Sequence, residues 1–307
     1  MSKETEKILR ELHKQLDTTK LNSEEEVGQA VREFMEQYNA KLKDGAGDEQ
    51  MDAYDFLEKA EMADSTAEAL KYARKALSLD EYCLDADVMI AELQSKDAWD
   101  YQKKLEKVID KGAEQLKERD ISFDKYMGSF YGLLETRPYM RARQVYVTTL
   151  LEQGKFRKAI KECEELVRLS ENDNLGLRYM LMALYAYFEE KENAENLYKR
   201  YDKEPSAFML LPLIALCYKS EDEAQAILYL KELLSENKEA LKAFKRIMTM
   251  DEDDIEEIQD SYAFAPFTEE EILLAYTQAF FLYGDMNDFI PWLIERSSNR
   301  AERRKRK

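Results

Sequence analysis

The block Arg137-Pro138-Tyr139-Met140-Arg141-Ala142-Arg143 holds the residues best suited to recognition chemistry. On a helix Arg137 and Arg141 stand one turn apart, Gln144 falls roughly along the same face and Thr148 continues it. Guanidinium groups bind carboxylates through paired hydrogen bonds, so such a face suits an acidic or C-terminal peptide. A second basic set closes the chain, with Arg300, Arg303, Arg304, Lys305, Arg306 and Lys307 in the segment RSSNRAERRKRK. A run of this kind attracts nucleic acid, anionic lipid or the chain's own acidic segments, yet it lacks interleaved aromatics for base stacking. The acidic segment DEDDIEEIQD, from Asp251 to Asp260, has neither the turn glycine nor the alternating oxygen ligands of a calcium loop, and reads as a solvated linker.

Catalysis has little to work with. His13 is the single histidine, so no imidazole pair can hold a metal, and no metal or cofactor is expected. Cys83, Cys163 and Cys217 lie far apart without a CxxC pair, which points to a reducing compartment and buried thiols. No phosphate-binding glycine loop, HExxH, GxSxG or kinase motif occurs. Neighbouring acids such as Glu164-Glu165 and Glu189-Glu190 point apart on an exposed helix, so nothing opposes them for acid–base work.

The elements that position these residues must be helices. The 307 residues include only nine Gly and five Pro, too few turn-formers for a many-stranded fold. Sixty-four acids against 46 bases give a net charge of −18, which repels phosphate backbones over most of the surface. Residues 3–16 predict a helix with Ile8, Leu9, Leu12 and Leu16 on one stripe. A second helix is expected after Ser23, which forms a capping box with Glu26, and runs to about Lys43. Asp44-Gly45-Ala46-Gly47-Asp48 then breaks the chain. The expected division is a helical pair and linker over 1–48, a helical array over 49–296 and a disordered basic tail over 297–307. The longest apolar run, Ala207 to Tyr218, is interrupted by Pro212 and is shorter than the roughly 20 residues of a membrane helix. No membrane partner is expected, and the cytoplasm is the expected location.

Within the array a period emerges. Gly154–Cys163 reads GKFRKAIKEC, with Ala159 at a close helix crossing. Ala194 occupies the same place in EKENAENLY, Ala226 in EDEAQAILYL, and Ala69, Ala73 and Ala76 in the upstream STAEALKYARKALSLD. Tyr146 and Leu150, Leu181 and Tyr185, and Leu213 and Cys217 recur as packing positions of the preceding helices. Small side chains at these places let two helices approach while large ones fill the neighbouring groove.

These residues resemble the tetratricopeptide repeat, which implies an all-α, right-handed solenoid of antiparallel helical hairpins. Phe130–Arg143 (FYGLLETRPYMRAR) and Ser170–Tyr185 (SENDNLGLRYMLMALY) further resemble the suppression-of-tumorigenicity-seven family. That likeness continues through Leu197–Ala207 and, more weakly, to Trp292. Tyr131 stands where the family has Trp, and Leu169-Ser170-Glu171 replaces its Leu-Asn-Pro. The membrane segments of animal members have no counterpart here. The resemblance implies no enzymatic activity. It also implies a concave face that carries Arg141, Gln144 and Thr148 beside Tyr179, Tyr187 and Tyr218. The function expected is a non-catalytic scaffold that binds a protein or peptide in that groove. The same arginines could instead lock adjacent repeats by pairing with Asp173 and Glu135, and Asn172-Asp173-Asn174 is expected to cap a helix. Two other readings stay open: an RNA- or ribosome-associated factor acting through the basic tail, and a hydrolase or transferase on an unfamiliar helical scaffold.

Overall fold

A computed structural model describes residues 3–18, 23–44, 51–259 and 264–305, and among these the chain is all-helical, with no β-strand. It divides into two compact units: 1–153 with 169–172, and 154–168 with 173–307. The first contains α1 (Lys3–Thr18), α2 (Glu24–Asp44), α3 (Ala53–Glu61), α4 (Thr66–Leu79), α5 (Leu84–Leu93), α6 (Ala98–Glu118) and α7 (Arg137–Glu152). Two short 3-10 turns, Phe130–Gly132 and Leu134–Thr136, lead into α7. The second contains α8 (Phe156–Leu169), α9 (Leu177–Tyr187), α10 (Lys191–Arg200), α11 (Ala207–Lys219), α12 (Glu223–Glu236) and α13 (Ala240–Ile247). It continues through α14 (Glu252–Gln259), α15 (Glu269–Gln278), α16 (Phe280–Tyr283) and α17 (Phe289–Lys305).

Side-chain caps set many of the helix starts. Asp52 accepts from the amides of Tyr54 (2.8 Å) and Asp55 (3.0 Å), while Asp55 accepts from the Asp52 amide, closing a capping box on α3. Ser23 caps α2 through the Glu26 amide at 3.2 Å, as the spacing predicts. Helix ends use an unusual device for so glycine-poor a chain. Asp120, Glu189, Asp202 and Glu221 take the left-handed conformation, with φ between 52° and 59°. At each, the next amide reaches back to the carbonyl five residues before it, as Ile121 does to Leu116 at 2.9 Å and Asp222 to Cys217 at 2.9 Å.

The helices pack chiefly with sequence neighbours. In the first unit α3 lies on α4, α4 on α5, α5 on α6, and both α5 and α6 on α7. Ala53, Leu57, Ala76, Cys83 and Ala86 form one core cluster there. In the second unit α11 is central and packs on α9, α12 and α15. Its residues from Ala207 to Cys217 are all buried, and Pro212 sits inside the helix without ending it. The alanines picked out by the period, Ala69, Ala73, Ala76, Ala159, Ala194 and Ala226, are all buried. So are Tyr146, Leu150, Leu181, Tyr185, Leu213 and Cys217.

One expectation gains detail and another needs correction. The acidic segment expected as a solvated linker is exposed over Asp251–Gln259 and is also helical. Asp251 and Asp254 cap each other's amides at 3.0 and 3.2 Å, and Glu252–Gln259 forms the exposed helix α14. The expected tail begins as helix, because α17 carries the backbone through Arg300, Arg303 and Arg304 to Lys305, with Ser297 buried. Arg306, Lys307 and the linker residues 45–48 lie outside the described residues, as do the side chains of Arg300, Arg303, Arg304 and Lys305.

Candidate functional site

The start of α7 is built rigidly by the residues before it. The buried Thr136 hydroxyl donates to the carbonyls of Phe130 and Leu133, fixing the two 3-10 turns against the helix. Pro138 follows in the first turn, where its missing N–H leaves no bond unmade. Phe130 and Tyr139 pack around Phe123, with ring centres 4.9 and 5.5 Å from it. The result is a first turn of α7 whose side-chain directions are set by packing.

On this turn Arg137 and Arg141 converge on a single carboxylate, that of Glu6 in α1. Arg141 Nη1 donates to both Glu6 oxygens at 3.0 Å, and Arg137 Nη1 donates to Oε1 at 3.4 Å. The other edge of the Arg141 fork is held by Asp85 of α5, with Nε to Oδ1 at 2.9 Å and Nη2 to Oδ2 at 2.6 Å. Arg137 Nε donates to the Tyr131 carbonyl at 3.0 Å, and its guanidinium lies 5.2 Å from the centre of the Tyr131 ring. Burial pulls the Arg141 guanidinium toward its neutral form, but the Asp85 and Glu6 carboxylates outweigh this and hold it more firmly charged than usual. Chemically this is a cradle for one carboxylate, with two cations on one side and a clamp that fixes the second of them.

α1 reaches a neighbouring helix as well. The Arg10 guanidinium lies 3.6 Å from the centre of the Tyr54 ring on α3, in cation–π geometry. Arg10 also pairs with Glu6 one turn earlier, at 3.4 Å. Glu6 is the buried residue among the described side chains of α1, while Ile8, Leu9, Leu12 and Leu16 are half-buried.

The remaining expected groove residues lie on α7, α9 and α11. Gln144 is half-buried on α7, and Thr148 is exposed with its hydroxyl donating to the Gln144 carbonyl at 3.4 Å. Tyr179, Tyr187 and Tyr218 belong to the second unit. The Tyr179 hydroxyl donates to Glu204 at 2.6 Å, with the Arg178 guanidinium 4.1 Å from its ring centre. Tyr187 packs edge-on against Phe156 at 5.2 Å. Tyr218 stands 5.4 Å from Trp292 beside an open cleft of about 660 Å³, which Glu223 and Arg296 also line. There Arg296 bonds Glu223 at 2.6 Å.

The alternative lock also uses different partners. Asp173 pairs with Arg178 at 3.0 Å, and Glu135 stands 3.8 Å from Arg119. As a cap Asp173 does what its position predicts, accepting from the amides of Leu177 and Arg178 at 2.9 Å each. Glu6, Asp85 and Tyr54 are not among the residues that sequence alone singles out. The signal was slight: Glu6 stands one turn before Leu9, at the margin of the apolar stripe.

Among the described residues no helix is long and apolar enough to cross a membrane. No protein-family model matches the chain, and no curated protein matches it.

Proposed function

We propose that this protein is a non-catalytic binding scaffold, a right-handed tetratricopeptide-like array of helical hairpins akin to the suppression-of-tumorigenicity-seven family, working in the cytoplasm. Its α7 arginines hold a carboxylate of a protein partner. The observation that carries this reading is the convergence of Arg137 and Arg141 on one carboxylate, with Asp85 fixing the fork. An arginine pair oriented by its own supporting shell is pre-organised, so little side-chain freedom is lost when a ligand carboxylate arrives. The buried small residues Ala69, Ala159, Ala194 and Ala226 support the hairpin array.

The test is capture of partners from a cell lysate by the full chain and by Arg137→Gln with Arg141→Gln, after nuclease treatment. The double variant should lose protein partners that the unaltered chain retains, with the helical circular dichroism kept. Partners that survive the double change would refute the assignment to α7. Retention of RNA alone, released by nuclease, would shift the function to the basic C-terminal segment.

A further inference from the structure

The N-terminal helix poses a physical puzzle. A surface helix ordinarily anchors through an apolar stripe, yet the buried residue among the described side chains of α1 is a glutamate, and its leucines are only half-buried. The helix it packs against most extensively is α2, and among the described side chains of α2 only Phe34 is buried. Among the described side chains, two polar contacts tie α1 to the hairpins: Glu6 in the Arg137–Arg141 cradle and Arg10 on the Tyr54 ring.

We propose that the surface made by Tyr54, Asp85, Arg137 and Arg141 is a receptor for an amphipathic helix bearing glutamate and arginine one turn apart, and that α1 is its exchangeable occupant in the free protein. The inference rests on the scaffold reading of the α7 site and adds its partner chemistry and its regulation. Glu6 and Arg10 stand at i and i+4, a spacing that puts both on one face of a helix and lets them pair with each other before docking. The receptor is matched to that order. Two guanidinium groups await the carboxylate, and an aromatic face awaits the guanidinium. Asp85 neutralises one edge of Arg141, so its remaining edge is directed to a ligand. A latch that uses charge and cation–π contacts yields to a competing helix that offers the same pair in the same order.

The probe is a fluorescein-labelled peptide of residues 3–18, titrated by anisotropy into the full-length chain and into full-length Glu6→Gln. A site occupied in about nine-tenths of unaltered molecules binds a competitor about tenfold more weakly than an open site. The peptide should therefore bind Glu6→Gln at least about tenfold more tightly than the unaltered chain. A peptide carrying its own Glu6→Gln or Arg10→Gln change should lose that binding. Equal affinity for both chains would show that α1 does not occupy the receptor, and the inference would fall. Binding to neither chain would overturn it as well, while Arg141-dependent capture of a protein partner would leave the scaffold reading standing. If Glu6→Gln loses its helical circular dichroism, hydrogen exchange on the unaltered chain decides the matter. Saturating peptide must speed exchange of the chain's own α1 amides, and unchanged exchange overturns the latch.

Discussion

Gly112 on α6 sets how closely three helices meet, and Gly112→Ala tests that geometry. A methyl group there would lie 2.7 Å from Leu84 Cδ2 on α5 and 3.0 Å from Tyr139 Cδ2 on α7. Neither neighbour can yield freely. Leu84 is 2% exposed, and Tyr139 is wedged against Phe123 and Phe130. Helix propensity alone favours alanine by about 0.5–1 kcal/mol, whereas overpacking a dense core costs about 1–3 kcal/mol. The overlap exceeds half an ångström, so the second effect should win, for a net loss of about 1–2 kcal/mol. The displacement also bears on the carboxylate cradle, because Leu84 precedes Asp85 and Tyr139 lies between Arg137 and Arg141. Urea titration followed by far-ultraviolet circular dichroism should show a lower midpoint with an unchanged slope. A midpoint that rises would mean that propensity prevails, and the close three-helix approach would be refuted.

Other perturbations follow the same logic. Asp120→Gly with Glu221→Gly should raise the urea midpoint, since each residue's left-handed conformation costs an L side chain about 1 kcal/mol that glycine avoids; an unchanged or lower midpoint would contradict this. Tyr198→Phe should lose about 1–2 kcal/mol, because the hydroxyl donates to Glu232 at 2.8 Å. Burial, and then that bond, push the Tyr198 phenol above its ordinary value of 10.0, so its stabilisation is complete below pH 10.0 and lost as the pH rises beyond it. The absorbance of tyrosinate should accordingly lag in the native protein, and titration at the ordinary value would refute the buried bond. The buried thiols should resist alkylation in the native state, with Cys83 pushed up to about 12 and Cys217 to about 11 by burial; rapid labelling of both would contradict their placement.

How much of this was legible follows the range of the forces involved. The period of small residues marked the helix crossings, because one alanine at a crossing is a local requirement, and Ala69, Ala159, Ala194 and Ala226 are buried where that spacing put them. Caps at Ser23 and Asp173 were legible for the same reason, since each acts within five residues. Arg137 and Arg141 were legible as a pair on one helical face, but not their ligand. Glu6 lies 135 positions from Arg141, and nothing in an acid-rich sequence singles out one glutamate for burial. The acidic run at Asp251 was legible as solvent-facing from its composition, while the reciprocal caps of Asp251 and Asp254 that start a helix there were not.

The acid surplus is therefore not simply a solvated coat. Glu106 accepts from Tyr146, Glu164 from Tyr185, Glu204 from Tyr179 and Glu232 from Tyr198, so carboxylates repeatedly join separate segments of the chain through tyrosine hydroxyls. The clearest case is Glu271 on α15, 1% exposed, which accepts from the amides of Ala207 at 3.0 Å and Phe267 at 2.7 Å. One carboxylate thus caps the central helix α11 from 64 residues away. Glu271→Ala leaves two N–H groups without their acceptor, and should cost about 2–4 kcal/mol at about 1–2 each. Burial raises the Glu271 carboxyl above its ordinary value of 4.5, against the pull of the two amides. Folding then takes up a proton in the window just above pH 4.5, so this residue's contribution is fullest below that window and falls as the pH rises through it. Glu271→Gln retains an acceptor but cannot titrate. The difference in urea midpoint between the two proteins should shift in the variant's favour as the pH rises from 4.5, and a difference independent of pH would show that Glu271 is not buried as a carboxylate.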